Sequence, residues 1–248
     1  MSFFEWNQHQ LFYRQQGDGP LLMILPGNTA SSATQQGELD YFRDRFHVVS
    51  PDFLGTGQSD RVEVWADQWW LECACQAVAL TEHLGYKTAI IMGASGGGIA
   101  ALLAAIHYPH RVSAVIADSF VEIVPPDLFR KRVIAERSNR SLDQIKFWEY
   151  AHGPDWEQVV DADTSMLERF ADQGADWLRG ELGKIKCPVL LTASLKDTML
   201  YQPAQQFCRM VETITNCCIY LHHDGGHPLM WSMPDAFRSV SNNFLSLL

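Results

Sequence analysis

The feature that most constrains the fold is an alternation of short apolar runs with helix-length amphipathic segments. Strand-like runs lie at 21–25, 47–50, 88–92, 112–117, 189–192 and 218–221, and several are apolar throughout, as in strands covered on both faces. Helical segments are predicted at 34–45, 66–84, 96–108, 203–213 and 235–247, and residues 3–6 and 9–16 predict a leading hairpin. This order is typical of an α/β protein with a mostly parallel twisted sheet and flanking crossover helices.

One stretch, from about 120 to 184, carries only helix signals. Ser141 and Gln144 have capping-box spacing, and Met166, Leu167 and Phe170 share one face of a second predicted helix. We therefore predict a single domain over 1–248 with a helical lid inserted between two sheet strands. The basic residues of this stretch alternate with acids, which predicts a solvated helix face for Lys131, Arg132, Arg137 and Arg140.

Charge and composition restrict the partners. The formal net charge is −10, from 29 acidic and 19 basic side chains, so nucleic acid and anionic membranes are poor partners and a small-molecule substrate is favoured. The first residues lack the pattern of a signal peptide, and no apolar run is long enough to span a bilayer. We therefore expect a cytoplasmic protein whose six cysteines are reduced. A homodimer is left open.

The strongest local motif is G-x-S-x-G, formed by Gly93, Ser95 and Gly97 between an apolar run and an alanine-rich segment. A sharp strand-to-helix turn strains its central residue and crowds the neighbouring backbone, so glycine is needed on both sides. Such a turn exposes the Ser95 hydroxyl and places the Gly96 N–H at a helix N-terminus, where negative charge is favoured. The motif predicts a serine nucleophile.

The same segment also fits a dinucleotide-binding fingerprint. Residues 96–101 match G-x-G-x-x-A, and Asp118 follows about 20 residues later at the end of the next predicted strand. However, a nucleotide fold usually carries this fingerprint after its first strand, whereas two parallel strands are predicted before it here. The nucleotide hypothesis is therefore the weaker one.

Two further residues follow apolar runs near the C-terminus. Asp197 lies in the loop after 189–192, and His227 lies in the loop after 218–221. Loops at the ends of adjacent parallel strands can bring a base and its orienting carboxylate together. Three reactive residues in the order Ser95, Asp197 and His227, each beyond an apolar strand, form a specific pattern.

At this point nearly the whole chain resembles the α/β-hydrolase superfamily, in its serine-nucleophile branch with a helical lid. Residues 25–28 (LPGN) are similar to its oxyanion loop, 52–59 (DFLGTGQS) to its D-x-x-G-x-G-x-S loop, and the Asp197 and His227 loops to its acid and histidine loops. The resemblance implies the α/β-hydrolase fold, Ser95 as nucleophile, His227 as base, Asp197 as the orienting acid, and the N–H groups of Asn28 and Gly96 as oxyanion donors. It implies no cofactor and no metal. Pro26 replaces the usual histidine, a side chain that often braces the oxyanion loop.

Some residues keep an alternative interpretation. Asp118 also ends a predicted strand and could serve as the triad acid, although the spacing from Asp197 to Pro203 fits the family better. The cluster His222, His223, Asp224 and His227 could suggest a metal site, but adjacent histidines on an extended chain point to opposite faces. Trp148, Trp156, Trp177 and Trp231 are expected mainly to pack the lid, with one or two lining a pocket.

The predicted activity is hydrolysis of a small-molecule carboxylic ester through an acyl-enzyme intermediate. Serine at position 95 argues against the dehalogenases and epoxide hydrolases of this fold, which use aspartate there. Thioester, lactone or C–C bond hydrolysis on the same triad stays open, because the lid decides the substrate. A protein of another class, a non-catalytic small-ligand receptor on the same fold, is also compatible with the sequence.

Overall fold

The computed structural model describes residues 2–138 and 140–248. Eight strands form one sheet in the order β1-β2-β4-β3-β5-β6-β7-β8, in which β1 and β2 are antiparallel and the remaining strands are parallel. The strands are β1 Ser2–Trp6, β2 His9–Gln16, β3 Leu21–Leu25, β4 His47–Pro51, β5 Ala89–Ala94, β6 Val112–Asp118, β7 Val189–Ser194 and β8 Cys217–His222. The predicted hairpin and all six predicted later strands are confirmed. The fold is that of the α/β hydrolases.

The helices of the sheet layers follow the predicted segments closely. They are α1 Gln36–Phe42, α2 Trp69–His83, α3 Gly96–His107, α8 Pro203–Thr213 and α10 Pro234–Leu245, with the short α9 Leu229–Ser232 before the last. Proline occupies the first turn of α8 and of α10, where its missing N–H leaves no hydrogen bond broken. Helix α1 is shorter than predicted because Ser32–Gln35 forms a 3-10 turn instead, capped by the Ser31 hydroxyl.

Successive side chains of a strand point to opposite faces of the sheet, and the core therefore has two layers. On one face, alternate residues such as Met23 and Leu25 pack with α2 and α3. On the other face, Leu22 and Ile24 pack against α1 and α10, where Phe42 and Phe237 are fully buried. Both faces are thus covered, which explains why the central strands are apolar without a polar side. The carboxyl ends of the parallel strands all meet at one edge.

Helices also fill the connection between β6 and β7. They are α4 Pro126–Phe129, α5 Ala135–Ser138, α6 Leu142–His152 and α7 Trp156–Asp172, with a π-helical turn at Arg130–Ile134 and a 3-10 turn at Leu182–Lys184. We call residues 120–184 the helical insertion. The capping box of Ser141 and Gln144 is present at the start of α6, and Met166, Leu167 and Phe170 of α7 are buried as predicted. No helix in the described part of the chain is both long and apolar enough to cross a bilayer.

A buried carboxylate organises the loop that follows β4. Asp52 is 1% exposed, and its two oxygens accept the N–H groups of Ser32 at 2.6 Å and Gln58 at 2.7 Å. Gly57 has a φ of +52°, and a Cβ there would lie 2.0 Å from the Asp52 Oδ2 atom. The glycine is therefore required by this carboxylate as well as by the backbone conformation.

We expect Gly57→Ala to destabilise the fold more than Gly85→Ala. Gly85 also has a positive φ, +79°, but nothing lies within 4 Å of an added Cβ, so its substitution should cost only about 1 kcal/mol of backbone strain. At position 57 the methyl group must also displace Asp52 from its hydrogen bonds, which should add about 2 kcal/mol. Denaturant unfolding of both variants measures the difference, and equal losses would contradict this account of the loop.

Candidate active site

Ser95 lies at a strained turn between β5 and α3. Its φ is +55° and its ψ −124°, a conformation that is rare for a residue with a side chain. The turn is held because the Ser95 N–H donates to Asp118 O at 2.8 Å and because the surrounding backbone is too close for side chains. A Cβ on Gly93 would meet Gly97 O at 2.2 Å, and one on Gly97 would meet Leu25 O at 2.1 Å. Both glycines of the motif are thus required by backbone contacts.

His227 and Asp197 meet at the same edge of the sheet. The His227 Nδ1 atom lies 2.7 Å from the Asp197 Oδ2 atom, and the side chain of Asp197 is fully buried. The other Asp197 oxygen accepts the Met199 N–H at 3.0 Å, which fixes the carboxylate. With Nδ1 donating to the carboxylate, the Nε2 atom of the neutral ring is left as an acceptor.

Ser95 and His227 line one cavity. Among the described residues, no hydrogen bond joins the Ser95 hydroxyl to the imidazole. Such contacts are often long in a ligand-free site and shorten when substrate binds. The structure therefore brings the three predicted residues to a common site, with the acid–histidine contact made.

Asp118 lies on the neighbouring strand β6, and its carboxylate is bonded elsewhere. Its Oδ1 accepts the Thr192 hydroxyl at 2.6 Å, and its Oδ2 accepts the Met230 N–H at 2.9 Å. Complete burial raises the pKa of Asp118 to about 6. This carboxylate holds the start of α9, directly after His227, and it is not bonded to the imidazole. Nor is it placed to bind a ribose, as the dinucleotide hypothesis requires.

The loop after β3 lies against the serine turn. A Cβ on Gly27 would lie 2.9 Å from Ala94 O and 3.1 Å from Ser95 Cβ, so this residue must be glycine for the loop to approach. Among the described residues, the backbone N–H groups of Asn28 and Gly96 donate to no protein acceptor. Both N–H groups thus remain available to a bound ligand at the mouth of the Ser95 turn, and both residues line the cavity.

The cavity has a volume of about 340 Å³ and mostly apolar walls. The sheet and its flanking helix supply residues such as Ala94 and Ile99, and the helical insertion supplies Phe129, Val133 and Leu167. Four tryptophans also line it, namely Trp70, Trp148, Trp177 and Trp231. Trp156 instead stacks on Trp148 with ring centroids 5.4 Å apart. Three of the four tryptophans considered from the sequence thus reach the pocket.

Comparison with known proteins agrees with this architecture. The sequence profile of the alpha/beta hydrolase fold matches residues 20–135. The chain has the α/β-hydrolase fold. The human serine hydrolase BPHL is 27% identical over 96% of this chain and 84% of its own length. The 2-hydroxy-6-oxo-6-phenylhexa-2,4-dienoate hydrolase of Comamonas testosteroni is 24% identical over 95% of this chain and 91% of its own length.

A solved structure shares the fold over the whole chain. The crystal structure of a hydrolase from Pseudomonas aeruginosa PA01 superposes with a TM-score of 0.76, 21% sequence identity, and coverage of 98% of this chain and 97% of that chain. The relatives that match most of this chain are hydrolases.

One expectation about the helical insertion is wrong. Arg137 does not belong to a solvated face, because its side chain is 10% exposed and its Nε donates to Asp163 Oδ2 at 2.7 Å. The Asp163 carboxylate compensates the charge of the buried guanidinium, which would otherwise be left unpaired away from water. The sequence did contain a signal for this pair, since Asp163 falls on the buried face of α7 between Val160 and Leu167. A charge on an apolar helix face indicates a buried partner.

His152 is another residue near the site whose contacts the sequence analysis did not predict. The Gly57 N–H donates to its Nδ1 atom at 3.0 Å, so the Nε2–H donates to Thr29 O, also at 3.0 Å. This residue of α6 therefore ties the helical insertion to the loop that carries Asn28. Burial lowers the pKa of His152 to about 4, because a charged ring would lose its water and its acceptor role.

The pKa of His152 predicts how its contribution to stability depends on pH. The unfolded chain takes up the proton near pH 6.5 and the folded chain only near pH 4, so protonation favours unfolding between these values. We expect the stability advantage of wild type over His152→Gln to be greatest above pH 6.5. It should fall by about 3 kcal/mol as the pH is lowered to 4.

Urea unfolding at a series of pH values measures this difference. The control is His223→Gln, which removes an exposed ring outside this contact. A constant difference between wild type and His152→Gln from pH 7 to pH 4 would contradict a neutral, buried His152.

Proposed function

We propose that this α/β-hydrolase cleaves small, neutral carboxylic esters through an acyl-enzyme intermediate on Ser95. The observation that carries the proposal is the bond between His227 Nδ1 and the buried Asp197 carboxylate, at the mouth of the cavity that Ser95 also lines. A histidine held in this tautomer has a basic Nε2 atom, and a serine at a strained turn has an exposed hydroxyl. These are the parts that acyl transfer needs.

In the proposed reaction, His227 Nε2 accepts the Ser95 proton as the oxygen attacks the ester carbonyl. The carbonyl oxygen becomes an oxyanion that accepts the N–H groups of Asn28 and Gly96. The imidazolium, stabilised by Asp197, then donates its proton to the leaving alcohol. A water molecule, deprotonated by His227, attacks the acyl-enzyme. The bond from the acyl carbon to Ser95 Oγ then breaks, His227 returns the proton to Ser95, and the carboxylic acid leaves.

The charges of the cavity favour a neutral substrate. Among the described lining residues the one arginine or lysine is Arg137, and its charge is already balanced by Asp163 at 2.7 Å. Glu136 lines the cavity as well, and the whole chain carries a net charge of −10. A carboxylate-bearing substrate would therefore enter without a free cation to balance it. The apolar walls instead suit an aliphatic or aromatic acyl group.

Related bonds remain alternatives on the same residues. A thioester presents the same carbonyl to Ser95 and needs no additional group, so thioesterase activity is the nearest alternative. C–C hydrolysis of a dienoate, the substrate named for the Comamonas testosteroni relative, is less well supported here because that substrate is an anion. A non-catalytic ligand receptor would use the cavity without using the His227–Asp197 pair.

Labelling with a fluorophosphonate probe tests the nucleophile. We expect wild type to be labelled and Ser95→Ala to be unlabelled, with its ester hydrolysis lowered by about 10⁶-fold. Ser119→Ala removes a second serine that lines the cavity and should still be labelled. A wild type that neither labels nor hydrolyses any member of a panel of aliphatic and aromatic esters would favour the receptor. The panel should include thioesters and a dienoate.

Two carboxylates near His227 allow a matched test of the orienting acid. Asp197→Asn should lower kcat about 10⁴-fold, because the amide cannot hold the imidazole in the tautomer that accepts a proton. Asp118→Asn should lower kcat less than about tenfold, because an amide oxygen can accept the Met230 N–H and its NH₂ can donate to the Thr192 hydroxyl. Steady-state kinetics on the best ester compare them, and a larger loss for Asp118→Asn would reverse the assignment.

A further inference from the structure

A chain of hydrogen bonds, buried at Asp163 and half-buried at Asn28, connects the helical insertion to the loop that carries Asn28. The Asn28 Nδ2 atom donates to Asp163 Oδ1 at 2.5 Å, and its Oδ1 atom accepts the Trp70 indole N–H at 3.0 Å. Because one partner is an acceptor and the other a donor, only one orientation of the amide satisfies both. The Asn28 side chain is therefore fixed from two sides, by α2 and by α7.

Asp163 is itself held in place. It is fully buried, and its second oxygen accepts the Arg137 Nε–H at 2.7 Å, while the same guanidinium donates to Val133 O at 2.9 Å. A buried carboxylate with both oxygens occupied cannot rotate without leaving a charge unpaired. The insertion thus presents a rigid acceptor to Asn28.

The side chain that Asp163 holds lies against the second proposed oxyanion donor. A Cβ on Gly96 would lie 2.1 Å from the Asn28 Oδ1 atom and 2.9 Å from the Trp70 Nε1 atom. The Asn28 amide therefore packs on the Gly96 backbone, in a space that only glycine leaves open. The position of this amide sets the position of the Asn28 backbone relative to Gly96.

We infer that Asp163 is a positioning residue for the oxyanion site, acting through the side chain of Asn28. The inference rests on the proposed ester hydrolysis. By holding the Asn28 amide against Gly96, Asp163 keeps the two backbone N–H groups directed at one point, where the carbonyl oxygen of the substrate becomes charged. Pro26 leaves the loop without the histidine that could brace it from within the chain segment. Asp163 supplies the brace from a position 135 residues away.

This arrangement makes the helical insertion part of the catalytic machinery as well as part of the substrate pocket. A loss of the Asp163 contact to Asn28 should leave the apolar cavity walls and the His227–Asp197 pair in place but loosen one oxyanion donor. Removing a donor outright costs about 10²–10³ in kcat, so loosening one should cost less. The effect should fall on kcat and leave KM nearly unchanged, because the oxyanion exists only in the transition state.

Asp163→Ala tests the inference, with Asp161→Ala as its matched control. Asp161 lies on the same helix and also pairs with an arginine, Arg140, but that pair is exposed and makes no hydrogen bond to the Asn28 side chain. We expect Asp163→Ala to lower kcat by about 10–100-fold with KM changed less than about threefold, whereas Asp161→Ala retains wild-type kinetics.

A trifluoromethyl ketone analogue separates oxyanion positioning from a general loss of structure. Ser95 Oγ adds to its carbonyl carbon, the serine proton passes to His227, and the carbonyl electron pair becomes an oxyanion that needs both donors. Its affinity for Asp163→Ala should fall by the same factor as kcat/KM. The corresponding secondary alcohol cannot form the oxyanion, and its affinity should change less than about threefold.

Two further variants decide the matter if Asp163→Ala fails to fold. Asn28→Ala keeps the backbone N–H but removes the braced side chain, and it should reproduce the kinetic loss. Where Asp163→Ala does fold, adding it to Asn28→Ala should cause no further loss of kcat, because the two residues act through one contact. Asp163→Asn combined with Arg137→Gln replaces the ion pair by an amide pair that still offers Asn28 an oxygen, and it should retain kcat within about fivefold.

The inference would be overturned if Asp163→Ala kept the kcat and the trifluoromethyl ketone affinity of wild type. If Asp163→Ala does not fold, the same result in Asn28→Ala would overturn it. Independent, additive losses in the double variant would also overturn it. Failure of wild type itself to label or to hydrolyse esters refutes the proposed function and is recognised before any Asp163 variant is made.

Discussion

The close contact of backbone segments around Ser95 is the constraint on which the rest of the site depends. Residues 93, 96, 97 and 27 lie where a side chain would collide with neighbouring atoms at 2.1–2.9 Å. Because all four are glycine, the end of β3 can approach the end of β5 and the start of α3. Ser95 then adopts a backbone conformation that it would avoid in isolation, since its surroundings permit no other. The Asn28 side chain can pack on the Gly96 backbone for the same reason.

The edge of the sheet also separates the roles of two buried carboxylates. Asp118 is the last residue of β6, and Asp197 lies in the loop after the neighbouring strand β7. Asp118 accepts hydrogen bonds from a backbone N–H and a hydroxyl, whereas Asp197 is bonded to the imidazole of His227. The first fixes the start of α9 and the second fixes the ring of His227. Both contacts are needed to hold one histidine, because its loop leaves the sheet after β8 and has no strand partner of its own.

The helical insertion contributes polar contacts as well as apolar walls. Asp163 holds the Asn28 amide, His152 donates to Thr29 O, and the Tyr150 hydroxyl donates to Ala33 O at 3.1 Å. All three contacts end on the loop between β3 and α1. These contacts add to the hydrogen bonds that the loop makes within its own turns, such as Thr34 N–H to Ser31 O, and together they fix its conformation. The shape of the pocket and the placement of the proposed oxyanion donors are therefore coupled.

The sequence by itself determined the sheet, its flanking helices and the glycine frame of the Ser95 turn, because these follow from local periodicity and backbone sterics. It also indicated that Asp197 and His227 follow adjacent strands, since chain order places them there. The tertiary structure alone decided that Asp197 and not Asp118 contacts His227, that Arg137 is buried against Asp163, and that His152 and Asp163 reach the loop of Asn28. These contacts join side chains on different elements, between residues 26 to 135 positions apart in the chain. Tertiary packing selects the partner of each residue, and no periodic pattern in the sequence identifies that partner.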